Sequence, residues 1–286
     1  MKILLFPGQG TQKPNMHEML LSAFPDMKWL YDTAQKVLGY DLRELTEENL
    51  THTLFAQPAI MACSLLSFFT KKNLGHIAFK SFGVAGHSLG EYSAMVASEM
   101  LSAEDGFRVI NYRAQAMEKC ASRVGGVMVA VLKLKSEIIE FVVDKIEEGF
   151  VAVANYNSPL QTVIAGEKKA VDVACEKLKA LGGRIVPLKT EGAFHTKLMQ
   201  PAADEFAEAI KDISFEPPIC PFYSNVTGGR LIDFSNFKEL MSRHIVSPVR
   251  FLDEIQLWKA KDVTEFEECE PGKILTGLVG KVIEIS

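Results

Sequence analysis

The stretch Gly86-His87-Ser88-Leu89-Gly90 sets a serine between two glycines in the G-x-S-x-G spacing of a nucleophile elbow. A serine hydroxyl is a weak nucleophile until a base, usually histidine, lies within hydrogen-bond reach. Chains of this size contain the pentapeptide by chance often enough that its setting must carry the argument. Upstream, Phe82-Gly83-Val84-Ala85 reads as the end of a buried strand, and downstream Tyr92, Met95, Val96 and Met100 recur at helical spacing. A strand, a tight turn and a helix would lift Oγ clear of the backbone and aim the first helical N–H groups at a developing oxyanion. The flanking glycines fit a turn in which a Cβ would collide with the neighbouring chain.

Six histidines are candidates for the base. His17, His52 and His76 lie in polar or loop-like surroundings and read as surface residues. His87 adjoins Ser88 but would point away from its Oγ. His195 ends Glu191-Gly192-Ala193-Phe194-His195, a turn after a strand-like segment where two domains should meet, and clefts between domains are favoured sites. Spacing alone leaves His195 as either the base or an ordinary buried histidine with its hydrogen bonds satisfied.

The elements that must hold these residues alternate strand and helix. Lys2 to Phe6 reads as a buried strand followed by the turn Pro7-Gly8-Gln9-Gly10, in itself a simple turn with neither a dinucleotide nor a phosphate-loop pattern. Residues 15 to 38 predict an amphipathic helix, with a looser stretch to about 55. Pro58 to Lys72 predicts a helix apolar on nearly every side and therefore buried. Ser102 with Asp105 has the form of a helix cap, opening a helix with Phe107, Ile110, Ala114 and Met117 on one stripe and Arg113 at its edge. From Val127 to Leu188 the order becomes β-α-β-β-α-β, the pattern of a ferredoxin-like unit. The fold expected is α/β: residues 1–123 and 190–286 as an α/β hydrolase-like large domain, and 124–189 as an inserted ferredoxin-like domain. The end of the chain predicts a strand from Val263 to Phe266 and a helix from Lys273.

With 286 residues, 48% hydrophobic and 23% charged, the composition is that of an ordinary soluble globular protein. A net charge of -5 gives no footprint for nucleic acid. Five scattered cysteines without a C-x-x-C pair imply free thiols in a reducing compartment, and no histidine–cysteine spacing predicts a metal site. No apolar run approaches the length of a membrane span, and Pro7-Gly8 cuts the first apolar stretch too short for a signal core. A cytoplasmic location without a membrane partner is the expectation.

Further stretches carry a resemblance. Phe6-Pro7-Gly8-Gln9-Gly10, Gly86 to Ala94, Arg113 at 25 residues beyond Ser88, Asn155-Tyr156-Asn157-Ser158-Pro159, Phe194-His195, Ser247-Pro248-Val249 and Pro271 to Leu278 stand in order along nearly the whole chain. Together they resemble the malonyl-CoA:acyl carrier protein transacylases and the acyltransferases serving polyketide synthases. The resemblance implies that Ser88 carries an acyl ester and that His195 is its base and then its acid. It also implies an oxyanion hole from the N–H groups of Gln9 and Leu89, which gives the Pro7–Gly10 turn a function. Arg113 would grip the malonyl carboxylate, a task for the planar two-pronged guanidinium. No bound cofactor is implied: malonyl-CoA is a substrate, and the phosphopantetheine belongs to the partner, an acyl carrier protein.

The sequence departs from the family at His244, where an amide side chain is commonly one of the groups orienting the base. If the His244 ring contacts His195 it must present an unprotonated nitrogen, and activity should then fall in mild acid. Alternatively it points elsewhere and a backbone carbonyl suffices. Phe194 resembles the polyketide malonyl-type pattern and should crowd an α-methyl group, an effect worth roughly 1–3 kcal/mol. Glu270, which replaces the small residue usual before Pro-Gly, has no functional reading. Two rival functions remain at this point: a serine hydrolase releasing acyl groups from carrier proteins, and a non-catalytic carrier-docking subunit.

Overall fold

The computed structural model describes residues 1–77, 82–190 and 192–284. Lys2–Phe6 runs parallel to Phe82–Gly86 on one side and to Phe266–Glu268 on the other, and Phe222 bridges Val84 in parallel beyond. Alternation sends Leu4, Phe6 and Val84 into one core and Ile3, Leu5 and Ala85 into another, so both faces of this sheet are covered. The first core is built largely on Thr53–Asn73 and Ala103–Val124, and the second on Phe251, Ile255, Trp258 and Leu278.

Val127–Leu132, Val151–Ser158, Gln161–Gly166 and Arg184–Pro187 form a separate antiparallel sheet. In sequence order its strands lie second, third, first, fourth, with Ser136–Val143 and Lys168–Ala180 as the two crossover helices. That is the ferredoxin-like arrangement. The sheet has two apolar faces. Val129, Val131 and Ile164 pack on its own helices, whereas Met128, Ala130, Val163 and Ala165 join the large core.

The structure departs from the sequence reading at several ends. The helix expected over 15–38 is two, Glu18–Ala23 and Lys28–Leu38, because Pro25 cannot continue the first and opens a 3-10 turn. Thr53–Asn73 starts five residues before Pro58 and absorbs it. The ring lacks the N–H that would bond Leu54, and the Tyr40 hydroxyl donates to that carbonyl at 3.4 Å instead. The Ser102 cap is present, its Oγ accepting from the Asp105 N–H at 3.0 Å. The last strand is Phe266–Glu268 rather than 263–266, and the last helix is Ile274–Val279. Glu191 of the turn before His195 lies outside the described residues. Thr53–Asn73 is long and apolar enough to cross a membrane by composition, but 83% of its most apolar window is buried, which makes it a core helix.

Candidate active site

Phe6 and Gly86 are register partners, so the Pro7–Gly10 turn and the serine turn leave adjacent carboxyl ends of the parallel sheet, where ligands bind in open α/β folds. A Cβ on Gly86 would sit 2.0 Å from the Gly90 carbonyl carbon, and one on Gly90 would sit 2.0 Å from the Phe6 oxygen. Only glycines allow the helix Gly90–Ala97 to start this close to the strand. Ser88 itself takes the left-handed conformation, φ 53°, which costs a non-glycine residue roughly 1–2 kcal/mol. His195 does the same at φ 61°.

The two strained residues meet. Ser88 Oγ lies 2.7 Å from His195 Nε2. His195 Nδ1 lies 3.1 Å from the carbonyl oxygens of both His244 and Ser247. A carbonyl only accepts, so Nδ1 carries the proton and Nε2 presents a lone pair to the serine hydroxyl. No carboxylate is needed to fix this tautomer. Burial, with the Arg113 charge next, pushes the His195 pKa down to about 3, so the ring is neutral at physiological pH.

His244 thus acts through its main chain. Its imidazole is buried, packs edge-on to His195 at 5.6 Å and has no hydrogen-bond partner on either nitrogen among the described residues. Burial holds it well below the usual histidine range. Of the two alternatives for His244, the backbone carbonyl is the one present; the ring touches His195 without a hydrogen bond, so the loss of activity in mild acid that such a bond would cause is not expected. His87 does point away from Ser88, its Nε2 lying 2.8 Å from Asn157 Oδ1.

Arg113, at the edge of the apolar stripe of its helix, is fully buried. Its guanidinium donates to Gln57 Oε1 at 2.8 Å and to Ser88 Oγ at 3.0 Å, and its carbon lies 5.1 Å from the Tyr92 ring centre. Among the described residues no carboxylate pairs with it, and its Nε has no partner. A buried guanidinium stays protonated, so the charge awaits a counter-ion. A cavity of about 310 Å³ runs past Ser88, Arg113 and His195. Gln9, Met117, Ala130 and Phe194 are among its walls. The N–H groups of Gln9 and Leu89 have no acceptor among the described residues.

Sequence reasoning missed Gln57 and a buried group behind the elbow. Asn225 Oδ1 accepts the Ser88 N–H at 2.7 Å, and its Nδ2 donates to Gly86 O and to Glu254 Oε1, each at 2.8 Å. Its own N–H donates to Glu91. Burial pushes the Glu91 carboxyl up to about 8, and burial reinforced by Glu91 raises Glu254 as well. No local motif marks these residues, since their partners come from distant segments.

An α/β fold with a serine elbow, a histidine held by carbonyls and a buried cation beside them defines a serine acyltransferase. Residues 3–269 match the family described as acyl transferase domain. The chain belongs to the malonyl CoA-acyl carrier protein transacylase family. It is 38% identical to the Bacillus subtilis malonyl CoA-acyl carrier protein transacylase over 97% of its own length and 89% of that protein's. A polyketide biosynthesis malonyl CoA-acyl carrier protein transacylase of the same organism is 34% identical over 97% and 96%. The crystal structure of the Streptococcus pneumoniae enzyme superposes with a TM-score of 0.91 at 39% identity, covering 100% of this chain and 95% of that one. A malonyl-transacylase solved with its type II polyketide synthase acyl-carrier protein gives 0.93 at 33% identity, over 99% and 93%.

Proposed function

We propose that this enzyme transfers a malonyl group from malonyl-CoA, through an ester on Ser88, to the phosphopantetheine thiol of an acyl carrier protein. One observation carries the reading: a fully buried Arg113, without a carboxylate partner among the described residues, stands 3.0 Å from the nucleophilic oxygen. An acyl group bearing its own carboxylate supplies the missing charge and is thereby fixed next to Oγ.

In the first half-reaction Ser88 Oγ attacks the thioester carbon as its proton passes to His195 Nε2. The N–H groups of Gln9 and Leu89 receive the oxyanion, in keeping with their having no acceptor among the described residues. Collapse expels the CoA sulfur, which takes the proton from Nε2. The carrier's thiol then gives its proton to Nε2, attacks the seryl ester, and Ser88 leaves with the proton returned. The Arg113 charge is the second cause of the low basicity of His195. A bound carboxylate offsets that charge, so the correct acyl group also makes the base more basic. Phe194, at the cavity wall, limits substitution on the α carbon. A cytoplasmic setting agrees with five buried free thiols.

The test is the intact mass of the protein after brief incubation with malonyl-CoA or acetyl-CoA. A malonyl adduct that requires Ser88 and disappears on adding holo carrier protein is expected. Acetyl turnover to free acid with no malonyl adduct would overturn the proposal in favour of a hydrolase.

A further inference from the structure

The nucleophile's strained turn is gripped by a side chain from 137 residues away. Asn225 is fully buried, and its amide reaches both sides of the turn, accepting from the Ser88 N–H and donating to the Gly86 carbonyl. Without that acceptor the N–H of a left-handed residue would be buried and unpaired. The main chain of the same residue reaches the other half of the site. Asn225 O accepts from the Arg250 N–H at 3.0 Å, three residues beyond Ser247, whose carbonyl helps hold His195 Nδ1. Glu91 and Glu254 in turn hold Asn225, on its N–H and its Nδ2.

We propose that Asn225 is a positioning residue for acyl transfer, fixing Ser88 relative to His195 by tying the elbow to the loop that orients the base. It touches neither substrate nor the reacting atoms. The assignment rests on Ser88 being the acylated group. A nucleophile displaced by about 1 Å loses on the order of 100-fold in rate, whereas the Arg113 grip on the acyl carboxylate does not pass through Asn225. Its removal should therefore slow acylation without weakening binding.

The experiment follows the malonyl adduct by rapid-quench intact mass over a range of malonyl-CoA concentrations, for the parent, Asn225→Ala and Asn225→Asp. For Asn225→Ala the saturating rate should fall roughly 100-fold, with little change in the half-saturating concentration. Asn225→Asp keeps the acceptor for the Ser88 N–H but faces the Gly86 carbonyl and Glu254 with an acid. Glu91, Glu254, and His244 at 3.7 Å from Glu91 are the titratable groups around it. Protonated, the new acid can still donate to Gly86; ionised, it repels it, so this variant should lose activity towards alkaline pH more steeply than the parent. A folded Asn225→Ala that acylates at the parent rate, or one whose whole defect lies in the half-saturating concentration, overturns the assignment. If Asn225→Ala does not fold, Asn225→Asp decides, and a pH profile parallel to the parent's overturns it. A parent that is never acylated on Ser88 sinks the transfer reading and this one together, whereas an acylated parent isolates the failure to Asn225.

Discussion

Ser88 and His195 are held mostly by main chain, through left-handed backbones, a tight glycine approach and two carbonyls on Nδ1, with the Asn225 amide on the Ser88 N–H as the side-chain exception. Arg113, one hydrogen bond away, is held by side chains alone: the Gln57 amide, the Tyr92 ring and the serine hydroxyl. The nucleophile and base are thus positioned largely by the backbone, with Asn225 as the neighbour whose substitution is expected to matter. The group proposed to select an acidic acyl substrate rests on side chains and can be edited one residue at a time.

The largest effects should fall on the main-chain half. Ser88→Ala should abolish the adduct, with transfer reduced at least roughly 1,000-fold. A residual malonyl ester in that variant would break the comparison at its root. Next in size, Arg113→Ala should cost roughly 100- to 1,000-fold in kcat/KM with malonyl-CoA and far less with acetyl-CoA. An equal loss on both substrates would mean that Arg113 serves the reaction itself rather than the selection. A third test concerns pH. His195 is held down to about 3, so its neutral form, the one that accepts the serine proton, persists as pH falls, and kcat/KM should stay level from pH 7.5 to 5. The His244→Gln variant should have the same acid limb as the parent. A limb near pH 6 that moves with this substitution would return the His244 ring to the machinery.

The smallest effect concerns stability. The folded-state pKa of Glu91 is raised, so the folded protein keeps a proton that the unfolded chain releases above its ordinary carboxylate pKa. The contribution of this group to stability therefore declines as pH rises from about 4.5 towards about 8. Glu91→Gln, which does not ionise, should gain in Tm relative to the parent at pH 8 compared with pH 5. An unchanged difference across that window would show that Glu91 is ionised in the fold.

What could be read in the sequence follows the same divide. The elbow was legible because its determinants are local: a strand, two glycines and a helix within a dozen residues. The ferredoxin-like unit was legible from the β-α-β-β-α-β order of its strand-like and helical stretches between Val127 and Leu188. His244 was legible only as two alternatives, because a sequence displays side chains while the atom on His195 Nδ1 is a carbonyl that any residue would supply. Gln57, Asn225 and Glu254 were invisible for another reason. Each gains its meaning from a partner at least 29 residues away, as Asn225 does from Glu254, and no spacing rule reaches that far. Pro25 and Pro58 show the limit of breaker rules: one ends a helix, and the other is absorbed where a tyrosine hydroxyl bonds the freed carbonyl.

The two-faced sheet of the small unit has an evolutionary consequence. Its odd-numbered valines, Val129 and Val131, stabilise the unit, while Met128 and Ala130, alternating with them, line the cavity beside Ser88. Selection can enlarge or narrow that chamber at every second residue without disturbing the core that keeps the unit folded. A lineage could in this way alter the acyl group accepted by a handful of substitutions on one face of the sheet, while the valine face, Ser88 and His195 remain untouched.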